Sequence, residues 1–123
     1  MEQLDIDTLS DIDLAVAVAH NVMDWDTASR SDADNPMMQV YHDGKWHEWQ
    51  PWRDMRAAWE IVEKMVADGW LIDLGSPISS QYEWSVTFGK DWDYDGLSGH
   101  EGGGKHPGIA IMRAALAAVR SAK

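Results

Sequence analysis

The clearest hydrophobic pattern in the chain runs from Met55 to Val66. Apolar residues fall at Met55, Ala58, Trp59, Val62, Met65 and Val66. Their i, i+3, i+4, i+7 spacing draws one stripe down a helix. Asp54 stands where a side-chain oxygen can accept from the free N–H groups of the first turn. Gly69 stands where a helix stops in the left-handed conformation. Arg56, Glu60, Glu63 and Lys64 fall off the stripe and are expected in solvent. A first helix is predicted over Asp11–Met23, capped by Ser10 or Asp11, with Leu14, Ala17, Val18 and Val22 inward. A last helix begins at Pro107, a residue suited to the first helical position. Its stripe is Ile109, Met112, Ala115, Leu116 and Val119, with Arg113, Arg120 and Lys123 outside.

Period-two patterning predicts the strands. Met37–His42 and Lys45–Trp49 flank Asp43-Gly44, a two-residue hairpin signal that sets Tyr41 opposite Trp46 and Val40 opposite His47. Trp70–Leu74 is a short apolar run, followed by the turn Gly75-Ser76-Pro77. Gln81–Phe88 alternates, with Tyr82, Trp84, Val86 and Phe88 on one face, as in a half-buried antiparallel strand. Asp26–Pro36 is polar and reads as a loop, and Lys90–His106, rich in Gly and Asp, reads as a longer one. The expected fold is α+β in the order α-β-β-α-β-β-α. Two hairpins would form one antiparallel four-stranded sheet packed with three helices, all in a single domain spanning residues 1–123.

Composition narrows the function. The net charge is −11, which argues against direct nucleic-acid binding and anionic membranes, serves solubility, and permits a basic protein partner. No cysteine is present, so disulfides, thiolate catalysis and cysteine zinc sites are excluded. The acidic start lacks the features of a secretory signal, and no apolar run reaches the ~20 residues of a membrane span. A cytoplasmic location is expected. Eight tryptophans stand against one phenylalanine. Some must build the core, and the aromatics Trp46, Trp49, Trp52, Tyr41 and Trp92 can supply a stacking platform.

Candidate chemistry concentrates between residues 91 and 106. Asp91, Asp93 and Asp95 before Gly96 match the opening of a calcium loop, but Gly102 stands where the bidentate Glu belongs and Glu101 is one place early. The overlapping Gly99–His106, GHEGGGKH, matches G-x-x-x-x-G-K with His106 in place of Ser or Thr. Gly102, Gly103, Gly104, Lys105 and His106 are therefore candidate phosphate contacts at the positive end of a helix, joined by Arg53 or Arg113. The surrounding aspartates and the antiparallel sheet argue against an NTPase. His20, His42, His47, His100 and His106 show no metal-protease spacing, and no nucleophile–base pairing is readable. An enzyme is not expected.

Four segments resemble small proteins of the phage ABA-sandwich family: LAVAVAHNVMDW (Leu14–Trp25), WQPWRDMRAAWEIVEKM (Trp49–Met65), Gly69-Trp70 and IMRAAL (Ile111–Leu116). The chain departs from the family pattern at Asp24, where glycine is common, at Trp52 and Arg53, where small hydroxyl residues are usual, and at Met112, usually cysteine. The resemblance implies a helix–sheet–helix sandwich and a phage or prophage origin, and it carries over no catalytic residues. In that setting the first expectation is a homo-oligomeric anti-defence protein sequestering a small nucleotide-like ligand. Trp92 would stack the base, while Gly102–His106, Arg53 and Arg113 would meet phosphate. No cofactor is required, with calcium at Asp91, Asp93 and Asp95 as the one metal option. The alternative is an acidic inhibitor of a basic host complex, of anti-CRISPR or DNA-mimic type. Asp91, Trp92, Asp93, Asp95 and Glu101 would then make the contact.

Overall fold

The computed structural model describes residues 6–30, 37–75, 84–93 and 96–121. A 3-10 turn, Ile6–Thr8, precedes helix α1, Asp11–Val18, which continues as a π-helical turn over Ala19–Met23. Strands β1 (Asp26–Arg30), β2 (Met37–His42) and β3 (Lys45–Glu48) follow. Then come α2 (Met55–Ala67), β4 (Leu71–Gly75), β5 (Trp84–Asp93), β6 (Gly96–Gly104) and α3 (Pro107–Ser121).

The class is α+β, but the single four-stranded sheet is wrong. The strands form two separate three-stranded antiparallel sheets, ordered β1-β2-β3 and β4-β5-β6. Both predicted hairpins are present, including the pairs Tyr41↔Trp46 and Val40↔His47. Each sheet gains a strand from a segment expected to be loop. DTASR forms β1 and pairs with β2, and GLSGHEGGG forms β6 and pairs with β5 along its length. Neither segment has the β-branched and aromatic content of a strand. Both are edge strands, held by a neighbour with stronger patterning. The rest of the predicted loop, Lys90–Asp93, extends β5.

The helix caps follow the local chemistry. Ser10 accepts from the Asp13 N–H, and Asp54 accepts from the Arg56 N–H. At the end of α2, Gly69 has φ 95° and Trp70 N–H donates to the Met65 carbonyl. The π turn closes at Asp24, with φ 60°. An L-residue in that conformation is strained by roughly 1–2 kcal/mol, which a glycine avoids. Asp24→Gly is expected to raise the unfolding free energy by about 1 kcal/mol, read by urea denaturation.

Helix α3 is the centre of the molecule. Gly108, Ala110, Ile111, Met112, Ala114, Ala115, Leu116 and Ala118 are all buried. It touches β5, β6, α1 and α2. A helix covered on so many sides needs small residues, and its alanines supply them. Val86 and Phe88 from one sheet, Met38 and Val40 from the other, and Trp49 just after β3 belong to the same buried cluster. Lys90 ties β5 to the end of α2. Its ammonium lies 4.3 Å over the Trp70 ring and 3.4 Å from the Asp68 carbonyl.

Candidate functional site

The glycines of the predicted phosphate loop are strand residues. A side chain at Gly102 would strike Ala110 and Ala114 of α3, and one at Gly104 would strike Ile109. These glycines let β6 lie flush against the helix. Arg113, expected in solvent, is partly buried and donates to the Gly103 carbonyl at 2.6 Å. The start of α3 is closed on itself. Pro107 has no N–H, Gly108 N–H donates to His106 Nδ1 at 2.9 Å, and the Ile109 and Ala110 N–H groups donate to the His106 carbonyl. The donors that a phosphate would use at a helix start are therefore engaged by His106. Lys105 remains exposed. The Pro51 carbonyl lies against Gly108, which brings the turn carrying exposed Arg53 to this end of the molecule.

Trp92 sits at the opposite end of the hairpin. It pairs with Leu97, whereas Gly104 pairs with Trp84. Seven residues of strand, about 23 Å, separate the two ends. One small ligand cannot stack on Trp92 and reach Lys105 of the same chain. Trp92 is 57% exposed. Exposed Asp91 precedes it on β5, and exposed Glu101 lies further along β6. Asp91 and Asp93 stand on an extended strand, in register with Ser98 and Gly96, and not in the loop that the calcium pattern anticipates. Asp95 lies outside the described residues. Among the described residues no three His, Asp or Glu converge on a metal-sized site.

The tryptophans divide. Trp49 and Trp52 are buried in the core, while Trp46 and Tyr41 form an exposed edge-to-face pair at 5.3 Å. Sequence reasoning missed a ring stack beneath that hairpin. Trp25 stacks on His42 at 4.3 Å, and His42 stacks on His47 at 4.2 Å. Trp49 meets Trp25 edge-on at 5.3 Å. His42 and His47 were readable as sharing a face, but a diagonal pair gave no sign of ring contact. Glu60 of α2 faces this cluster. Burial raises its carboxyl pKa, and Glu63 and Asp54 push the same way, while His42 and His47 oppose them.

The native state therefore holds the Glu60 proton more tightly than the unfolded chain does. Between the ordinary glutamate value of 4.5 and the raised native value, stability falls as pH rises. Removing the charge with Glu60→Gln is expected to make the protein more stable than wild type above that window. Below it, denaturation curves of the two proteins should converge.

A second surprise lies on α2. The residues it buries are Ala57, Ala58, Ile61, Val62 and Met65. The buried arc is rotated from the expected stripe, leaving Met55, Trp59 and Val66 exposed. The legible signal was Ala57 and Ile61, which extend an unbroken apolar face on the far side of Val62. A shallow, open depression of about 440 Å³ is lined by Met55, Arg56, Trp59 and Glu63.

Two small three-stranded sheets and three helices around one buried cluster, with tryptophans left on the surface, define a small α+β protein. The model of the phage ABA sandwich domain matches residues 16–116, and the chain belongs to that family. A 2.0 Å crystal structure of a phage protein from Bacillus cereus ATCC 14579 shares the fold, with TM-score 0.61 and 14% identity over 97% of this chain and 98% of that one. Comparison with curated proteins gives no match. Among the described residues no helix is long and apolar enough to cross a membrane.

Proposed function

We propose that this phage protein is a noncatalytic accessory factor that acts by binding a protein, as an acidic inhibitor of a basic, nucleic-acid-binding complex of the bacterial host. The observation that carries the reading is Trp92. This large aromatic is 57% exposed on the β5–β6 hairpin, past the last residue of β5 that pairs with β4. Tryptophan is enriched among the few residues that carry most of an interface's binding energy. Asp91 beside it, and Glu101 further along β6 where the sheet is three-stranded, supply charges that a basic groove would attract. An anti-CRISPR or DNA-mimic role is the specific form of this reading.

Sequestration of a nucleotide-like ligand is the second reading. One observation favours it: the contact of Pro51 with Gly108 brings exposed Arg53 toward exposed Lys105. The base would then have to stack on a different aromatic from Trp92, or on the Trp92 of another copy.

Native mass spectrometry separates the two, using gently purified protein with and without added nucleotides and calcium, followed by capture from host lysate at low and high salt. The protein-binding reading expects no nucleotide adduct and a captured basic protein that is released as salt rises. A discrete nucleotide-sized adduct with no captured protein would replace it with sequestration.

A further inference from the structure

We infer that the exposed face of α2 forms a symmetric, antiparallel contact with a second copy of this chain. The inference is independent of the partner reading above, because it uses a different surface.

The face has a layout that matches itself. With Trp59 set at zero and about 100° per residue, Glu63 falls near +40° and Arg56 near +60°. Met55 falls near −40° and Val66 near −20° on the same scale. The strip therefore carries charge along one edge and apolar side chains along the other, with Trp59 between them. All five residues are exposed. Arg56 and Glu63 bear opposite charges and are separated by seven residues, about 10.5 Å along the axis. The ion pairs His42–Asp43 and Lys64–Asp68 include neither Arg56 nor Glu63.

A two-fold axis perpendicular to two antiparallel helices keeps each edge of the strip on its own side. It reverses the order along the axis. Centred between Trp59 and Glu60, it sets Arg56 of one copy against Glu63 of the other, twice. It brings Met55 near the opposing Val66 and closes the two Trp59 side chains against each other. The same operation buries the shallow depression around Trp59. No other arrangement of this face on itself pairs both charges. In a parallel arrangement the two-fold would swap the edges and set the charges of one copy against the apolar edge of the other. The contact is isologous and closed, so it ends at a dimer. One pair of helix faces is small beside a standard interface, so the dimer should be concentration-dependent.

Sedimentation velocity from low micromolar to several hundred micromolar protein tests the inference. Wild type is expected to pass from monomer to dimer over that range. Trp59→Ala should remove the dimer. Arg56→Glu alone and Glu63→Arg alone should each weaken it about tenfold or more, since each places like charges across both contacts. Mixing those two variants should restore a dimer containing one copy of each, resolved by native mass spectrometry, because both contacts then pair opposite charges. All three positions are exposed, and circular dichroism confirms that each variant is folded. A wild-type monomer at every concentration would overturn the inference. So would a dimer indifferent to these substitutions, or a mixture of charge variants that stays monomeric.

Discussion

Gly102→Ala is expected to cost about 3 kcal/mol of stability, the upper end of what overpacking a tight interface usually costs. The added Cβ would stand 2.3 Å from the Ala114 nitrogen, 2.7 Å from the Ala110 carbonyl oxygen and 2.8 Å from Arg113 Cβ. Two of these three atoms are backbone of a helix that is itself buried, so neither can yield alone. Strand β6 and helix α3 would have to part along their shared face. Gly75→Ala is the internal control. Its Cβ would meet chiefly the Ser85 hydroxyl at 2.7 Å, which can rotate away, so a cost under ~1 kcal/mol is expected. Urea denaturation of the two variants checks both values. A mobile phosphate-binding loop would tolerate alanine at position 102, so the same experiment distinguishes a packing role for these glycines from a ligand-binding one.

The second large effect is functional. Trp92→Ala is expected to weaken partner binding about 30-fold or more, the loss typical of an aromatic interface anchor. Stability should stay within about 0.5 kcal/mol of wild type, because the side chain is mostly outside the core. Asp91→Asn and Glu101→Gln should act differently. Rim charges mainly steer the encounter, so these variants should slow association and flatten the salt dependence, with smaller effects on affinity. Binding isotherms at two salt concentrations, beside thermal unfolding of the same proteins, separate the anchor from the steering charges.

Much of the fold was legible from local chemistry. Ser10 and Asp54 announced the starts of α1 and α2, Pro107 the start of α3, and Asp43-Gly44 the β2–β3 register. These signals are short-range, and tertiary structure did not override them. The sheet count was not legible, because β1 and β6 are strands by association. DTASR is polar, and five of the nine residues of GLSGHEGGG are glycines, which leaves too few side chains to show alternation. What makes β6 a strand is its pairing with β5 and its flush packing on the alanines of α3, contacts between segments distant in sequence. Those glycines produced the phosphate-loop resemblance, since close backbone approach to a helix and to a phosphate ask for the same residue.

The candidate site was legible only in part. Trp92 stood out because it lies among aspartates, and the structure leaves it exposed. Its grouping with Lys105 and Arg113 followed from reading residues 90–106 as a loop that folds back. An extended hairpin separates them, and the Gly103 carbonyl engages Arg113. Trp59 was placed inside because it fits a helical stripe. Two neighbouring stripes on α2 are both apolar, and only the packing against α3 selects which of them is buried.

The claim at the centre of this account is that the β5–β6 arm, and not the glycine-rich end beside α3, makes the functional contact. The most direct test is quantitative capture of the host partner by wild type, by Trp92→Ala and by the double variant Arg53→Ala/Lys105→Ala. The account predicts that capture is lost with Trp92→Ala and kept by the double variant. Capture that survives Trp92→Ala but fails in the double variant would contradict it and return the binding site to the start of α3.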